Sequence, residues 1–516
     1  MGLTASMNIA RQALNVAQQG INIVSNNVAN MNTEGYSKLR MNLKEAINYT
    51  PLTTDPATTI NSLSGVQISS ITRYSDNFMQ AYYWNQNSEK TYLDKYADIA
   101  SNIESVMNEL NGTGVANALD AFYSAASVLN SSPSDLTARQ NFISKANSLV
   151  QTFNNTDANL ESYQTQAIGT LASNSESEMV NQIDKVNSLL DQIAKVNQNI
   201  IATRSSDNLS NSLQDQRDEL MKELSNFLDV QVTTNSNGSI NVRVANTCLV
   251  RGQTVQGYLA ATNYLDANDN LATRISINNP EGIEIVDDVT SKIQTGSIAA
   301  ILDVTQRSTT LNINTIREQM DALAAEFADV FNEIQTGDPK GDGTTPLCLD
   351  GTGQKLTIST EDMFKTSDGS TTFKAGNIKL NEALVSDPYK IAAARLDLSK
   401  YPTPADYEDA IGNSENANMM VNTRSAKHMN LNNQTFENYL SSTVGNIGTA
   451  IEDINTRDAA QTNVLTSVEE KMSAEKNVNL DEELSDMLKY QQAYKAASRV
   501  FSVCNELMDT LVTLGK

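Results

Sequence analysis

Two apolar seams, one at each end of the chain, constrain this sequence more than any other feature. Met7, Ala10, Leu14, Ala17, Ile21, Val24 and Val28 recur at a strict 3-4 spacing, which places them on one stripe of a helix. Near the other end Leu484, Met487, Tyr490, Tyr494, Ala497, Phe501, Cys504, Met508 and Leu511 form a second stripe, behind a helix start in which Asn479 caps and Asp481, Glu482 and Glu483 favour the positive end of the dipole. A tail of about 40 residues cannot bury a sufficient core by itself. The two tails, 1–40 and 478–516, are therefore expected to pair as a coiled coil and then pack against neighbours.

Charge supports an assembly surface. From Met1 to Thr33 the only charged side chain is Arg11, and the polar positions are amides such as Asn8, Gln12, Asn15, Gln18, Asn22 and Asn26. A helix facing bulk water normally carries charge on its outer side, whereas this one leaves no unpaired charge to bury when it is touched on several sides.

Between the tails the period changes twice. Ile183, Val186, Leu190, Ile193 and Ile200 mark a helix that Leu213, Leu220, Leu224 and Leu228 continue after a polar break. Ile316, Met320, Leu323, Phe327, Val330 and Ile334 mark another, and Leu440, Ile447, Ile451, Ile454, Leu465, Val468 and Met472 a long one. Val230 and Val232, then Asn237-Gly238, then Ile240, Val242 and Val244 read as a β-hairpin; Leu249-Val250, Ile275-Ile277 and Ile283-Ile285 read as further short strands. The fold class is therefore multidomain α+β: paired terminal helices, a helical-bundle domain over 41–228, 311–336 and 412–477, and an inserted β-rich outer region over 229–310 and 337–411.

The residues argue against several functions. A net charge of −24 repels nucleic acid and anionic lipid, and no apolar run approaches the ~18 residues of a membrane span. Three scattered cysteines (Cys248, Cys348, Cys504) and one histidine, His428, build neither a disulfide framework nor a multi-histidine metal site. Asp266, Asn268 and Asn270 alternate like calcium ligands, but Leu271 and Ile277 stand where the turn glycine and closing glutamate belong, so a solvated turn is expected. Asp338-Pro339-Lys340-Gly341-Asp342-Gly343 reads as a loop. The acidic groups Asp215, Asp218, Glu219 and Glu223, and Asp481 to Asp486, could suit glycoside hydrolysis only across a sugar cleft. They read instead as a solvated face and a helix cap, and His428 as a surface or interface residue. No cofactor and no enzymatic site is expected.

Ser25-Asn26-Asn27-Val28-Ala29-Asn30-Met31-Asn32-Thr33-Glu34-Gly35-Tyr36-Ser37 resembles the shared N-terminal motif of the bacterial flagellar axial proteins, the rod, hook and hook-associated family. Leu213-Gln214-Asp215-Gln216-Arg217-Asp218-Glu219-Leu220, Leu249-Val250-Arg251-Gly252, Val478-Asn479-Leu480-Asp481-Glu482-Glu483 and Tyr490-Gln491-Gln492-Ala493-Tyr494 are similar to its hook–filament junction members. Glu475-Lys476-Asn477 departs from the family by replacing a small turn. The resemblance implies a non-enzymatic adaptor ring between hook and filament. It also implies export through the flagellum's own secretion channel to an extracellular position. The implied partners are further copies in a ring, the hook protein, the second junction protein, and an export chaperone on the C-terminal helix, with neither nucleic acid nor membrane among them. Tyr490, Tyr494 and Phe501 form the aromatic stripe such a chaperone would hold, as an amphipathic helix in a groove. Alternative readings are the hook subunit, the second junction protein, or a secreted adhesin or glycan-active protein using the β-rich middle.

Overall fold

The computed structural model describes residues 2–33, 35–51, 59–107, 114–203, 207–307, 310–337, 347–354, 356, 362–396, 400, 403, 407 and 410–514. The proline-poor tracts become long helices. α1 (Gly2–Ala29) leads into a hairpin, β1 (Leu39–Pro51) with β2 (Thr59–Arg73). α2 (Asn77–Met107), α3 (Val115–Ser131), α4 (Leu136–Ile168), α5 (Glu178–Ala202) and α6 (Asp207–Ser225) follow. β3 (Gln231–Thr234), β4 (Ile240–Val244), β5 (Thr247–Arg251) and β6 (Thr254–Val255) form an antiparallel meander, and β7 (Tyr258–Leu265), β8 (Leu271–Asn278) and β9 (Glu284–Val286) a second. After α7 (Ser297–Thr305) and α8 (Ile313–Thr336), β10 (Leu347–Leu349) pairs with β13 (Ala394–Leu396). Between them β11 (Phe364–Thr366) pairs with β12 (Ile378–Leu380), followed by α9 (Glu382–Ser386). α10 (Glu415–Asn422), α11 (Phe436–Lys476) and α12 (Leu480–Leu514) close the chain.

Local chemistry accounts for these boundaries. Asp76 accepts from the amide of Phe78 and starts α2, and Thr435 accepts from Asn438 and starts α11. Asn237-Gly238 turns β3 into β4 with Gly238 at φ +86°, so that Val232 faces Val242. Asp266 accepts from the amides of Asn268 and Asn270, which makes that alternating trio the β7–β8 turn, as the missing glycine and glutamate imply. The 338–343 loop lies outside the described residues.

Two cores organise the body. In the first, α3, α4, α8 and the start of α11 bring together Phe122, Phe142, Phe153, Phe327, Phe331, Phe364 and Phe436, with Phe327 and Phe331 ring centroids 4.5 Å apart. The second gathers Trp84 of α2, Ile183, Val186 and Leu190 of α5, Val242 and Val250, Ile275 and Ile277, and an α7 buried on every side. The strands thus divide differently from the sequence partition. β3–β9 pack with α5 and α7, whereas β11 and β12 lie on α4 and α8. β1 and β2 contribute to neither core; they pack on α1, and β2 also meets α6.

α2 and α11 run past both cores. They lie antiparallel, with Gln86 accepting from Gln461 and Tyr83 bonding Glu469. His428 corrects the surface reading: it is buried, its ring 4.0 Å from Phe436 and its Nδ1 3.3 Å from Glu326. A lone histidine between Lys427 and Met429 gives no sign in sequence that the following helix start folds it inward.

Candidate functional site

α1 lies against α12 along its length, and two contacts give their direction. Asn27 reaches Glu483, and seven residues back along α1, Gly20 faces Tyr490, seven residues forward along α12. The helices are therefore antiparallel with matched heptads. At Gly20 a Cβ would stand 2.6 Å from the Tyr490 ring, so only glycine admits this close approach. Ala10, Ala17 and Val24 are buried, while Met7, Leu14, Ile21 and Val28 are partly covered. On α12, Ala497 and Cys504 are buried and Met487, Tyr490, Phe501 and Met508 partly covered. Tyr494 stays 39% exposed, and Leu484 and Leu511 stand on the open side.

α1 has a second apolar stripe that the heptad reading missed. Val16 and Ile23 are buried against Leu39 and Met41 of β1, with Val66, Ile68 and Ile71 of β2 alongside. The signal available in sequence was the alternation of Leu39, Met41 and Leu43, yet Leu43 points outward and the charged Arg40 and Lys44 obscure the pattern.

The pair joins the body through a polar joint. Asn27, 1% exposed, donates to the Leu39 carbonyl (3.0 Å) and to Glu483 Oε2 (3.1 Å), and accepts from the Leu39 amide (2.9 Å) and the Tyr36 hydroxyl (2.7 Å). Every hydrogen-bonding position of that amide is used. Lys38 Nζ sits 2.7 Å from Glu482 and 3.0 Å from Glu483, the latter 2% exposed. The Lys38 backbone amide donates to the carbonyl of Lys476, the last residue of α11. Arg73 at the end of β2 holds Asp215 (2.8 Å) and Asp218 (2.6 Å) of α6, and Asp215 also accepts from the Ser37 amide.

These contacts correct the solvated-face reading of Asp215 and Asp218, which are mostly buried in ion pairs with Arg73 and unavailable as a hydrolytic pair. Glu219 and Glu223 remain substantially exposed, Glu223 beside Lys185. The helix-cap reading of 481–486 is likewise corrected at Glu483. Asn479 does cap α12 through the amides of Asp481 and Glu482, but Glu483 turns inward. Lys476, where the sequence departs from its relatives, donates to Gln80 at 2.5 Å.

Burial dominates the electrostatics here. It raises the Asp215 carboxyl above the usual range despite Arg73, and it raises the Tyr36 phenol, with Asp215 and Glu483 adding to the effect. Burial lowers the Lys476 ammonium, which the Asp218 charge offsets only in part. For Lys38 burial pulls downward, but its hydrogen bonds to Glu482 and Glu483 outweigh it and the ammonium is held above its ordinary value. Beside the joint, a groove of about 580 Å³ runs between α1 and α6, lined by Asn22, Ile23, Asn26, Tyr36, Asp215 and Glu219. Among the described residues no group of three or more His, Cys, Asp or Glu could hold a metal ion, and no helix is long and apolar enough to cross a membrane. The arrangement fixes backbone segments to one another, which is the chemistry of a structural element.

Comparison with known proteins agrees with this placement. Residues 7–36 match the flagella basal body rod protein family and 469–514 the C-terminal family of the basal body rod FlgEFG proteins. Residues 100–346 match the helical domain of flagellar hook-associated protein FlgK. Both ends of the joint thus carry the signature of flagellar axial proteins, a class of structural proteins. Flagellar hook-associated protein 1 of Bacillus subtilis is 27% identical over 98% of this chain and 97% of its own length, and that of Escherichia coli 25% identical over 99% and 100%. A hook junction protein FlgK from Burkholderia pseudomallei shares the fold, with a TM-score of 0.59 at 15% identity over 76% of this chain and 99% of the other. Within the axial class the similarity to hook-associated protein 1 runs over the whole chain.

Proposed function

We propose that the chain is a structural component of the bacterial flagellum that forms the junction between hook and filament as an adaptor ring. The observation that carries this reading is the joint. Three stretches that resemble the family, 25–37, 213–220 and 478–483, meet there and fix the helix pair, whose α1 carries only Arg11 as a charge, to a two-core body. The paired helices serve as the assembly element: α1 offers amides and small residues on its open side, and α12 offers Leu484, Leu488, Val500, Val503, Leu507 and Leu511. Neighbouring copies, the hook protein and the second junction protein are its partners in this reading.

The chaperone proposal gains a condition from the geometry. Tyr490 faces α1 at Gly20 and Phe501 is partly covered in the folded chain, so a chaperone holding Tyr490, Tyr494 and Phe501 would exclude α1 from α12. Chaperone binding and helix pairing are then alternative states, and export of an unpaired α12 follows.

Labelled antibody on intact cells tests the position; a band at the hook–filament boundary is expected. Label spread along the filament, or absent from the flagellum, would overturn it. Leu14→Asp with Ile21→Asp tests the seam: filament growth should stop while both cores stay folded by circular dichroism.

A further inference from the structure

One exposed apolar surface remains unused by the helix pair. On the outer side of α2 and α11, Phe78 is 75% exposed and stacks on Tyr82, rings 6.5 Å apart and 5° from parallel. Asp76 caps the helix at the Phe78 amide, so the stack stands on a fixed helix start rather than on a loose loop. Val464 is also exposed, and a groove of about 500 Å³ is lined by Phe78, Met79, Tyr82, Val464, Val468 and Lys471. Lys471 is the one charged residue lining it and makes no ion pair among the described residues. An aromatic stack this bare, rimmed by polar residues, marks an interaction surface.

Charge selects the occupant. The chain carries −24, so a contact between two copies is favoured where one side lines its groove with a cation and no carboxylate. This groove meets that condition. A complementary surface exists on the same molecule. At the turn into β9, Ile283 and Ile285 are among the exposed large hydrophobics, flanked by the exposed carboxylates Glu281 and Glu284. β9 is an edge strand, paired only with β8. Both surfaces flank the second core, on which Met79 and Val286 each pack.

We infer that the Phe78–Tyr82 groove of one copy receives the Glu281–Ile285 edge of the next, with Lys471 facing Glu281. The inference rests on the proposed assembly of copies at the flagellar junction and names the lateral contact within it. Two different surfaces on one chain make a head-to-tail contact, which generates a closed ring when its rotation closes.

The test places the photo-crosslinking residue p-benzoylphenylalanine at position 78 of the full chain in cells growing flagella, followed by isolation of the hook–filament fraction. The expected product has twice the chain's mass and joins position 78 to a peptide containing residues 279–286. Lys471→Glu should lower its yield about tenfold, and adding Glu281→Lys should restore it. Attachment to a hook or filament subunit, to the same groove of another copy, or to any other surface overturns the inference. So does absence of the adduct when the chain is present in that fraction. Absence of the chain from the fraction overturns the flagellar reading itself, and this contact with it.

Discussion

Replacing Lys38 by methionine isolates the joint's least replaceable contact. Methionine keeps most of the aliphatic stem and removes the ammonium that lies 2.7 Å from Glu482 and 3.0 Å from Glu483. The two partners respond differently. Glu482 is 65% exposed and rehydrates, so its share is about 0–1 kcal/mol. Glu483 is 2% exposed and keeps only the Asn27 amide, and a buried charge left without its cation costs about 3–5 kcal/mol. The expected loss is therefore about 3–5 kcal/mol, nearly all of it at Glu483. Hydrogen exchange of peptides covering 20–40 and 478–490 reads the joint directly, without assuming that the whole chain unfolds in one step. Protection should fall by about two to three and a half orders of magnitude, at about 1.4 kcal/mol per tenfold. Adding Glu483→Gln should recover most of it. A change below about fivefold, or no recovery in the double variant, would refute the reasoning.

Gly20→Ala should weaken the α1–α12 pair even though alanine is the better helix former by about 0.5–1 kcal/mol, because the new Cβ meets Tyr490 at 2.6 Å and overpacking costs about 1–3 kcal/mol. Faster exchange in 480–500, relieved by Tyr490→Leu, is the readout. With a thiol reagent at pH 8, half-buried Cys248 should react first, and Cys348, buried and with its thiol pushed up to about 11, only on unfolding. Cys504 should be slow while the terminal pair is closed and fast in Gly20→Ala, and equal rates in both proteins would count against the pairing. Tyr258 donates to Asp191 at 2.6 Å, and that bond raises its phenol to about 12. Its contribution to stability should be complete below pH 10 and lost between about 10 and 12, seen as a late ultraviolet titration step absent from Tyr258→Phe.

Helices with sustained periods were legible without coordinates: the stripe Ile316 to Ile334 is the buried face of α8, and Asn237-Gly238 turns where its chemistry demands. The joint was not, for a physical reason. Asn27, Lys38, Arg73, Asp215 and Glu483 come from four distant stretches, and a polar residue destined for burial looks the same in sequence as one destined for water. Only the fold supplies the partner that makes its burial affordable. His428 was misread on the same ground, and β1–β2 because bulges after Asn42 and Glu45 break its alternation.

The 41 residues of α11 span about 60 Å at ~1.5 Å per residue, touching the first core at Phe436 and the second at Val468. Three residues, Asn477 to Asn479, then lead directly into α12. α11 is thus a continuous strut, braced by α2 on its flank, with its lower end riveted to Lys38 through the last carbonyl. A twist applied to the terminal pair enters the body by two covalent paths, the Asn477–Asn479 link into α11 and the β1–β2 hairpin into α2, and because α2 and α11 brace one another the body turns as a rigid lever. Bending concentrates near the short link below Lys476, where the Lys38 amide and the Asn27–Glu483 contact tie the two paths together. The stiffness of the joint around Asn27 and Glu483, rather than that of either core, then sets how far the molecule yields under load.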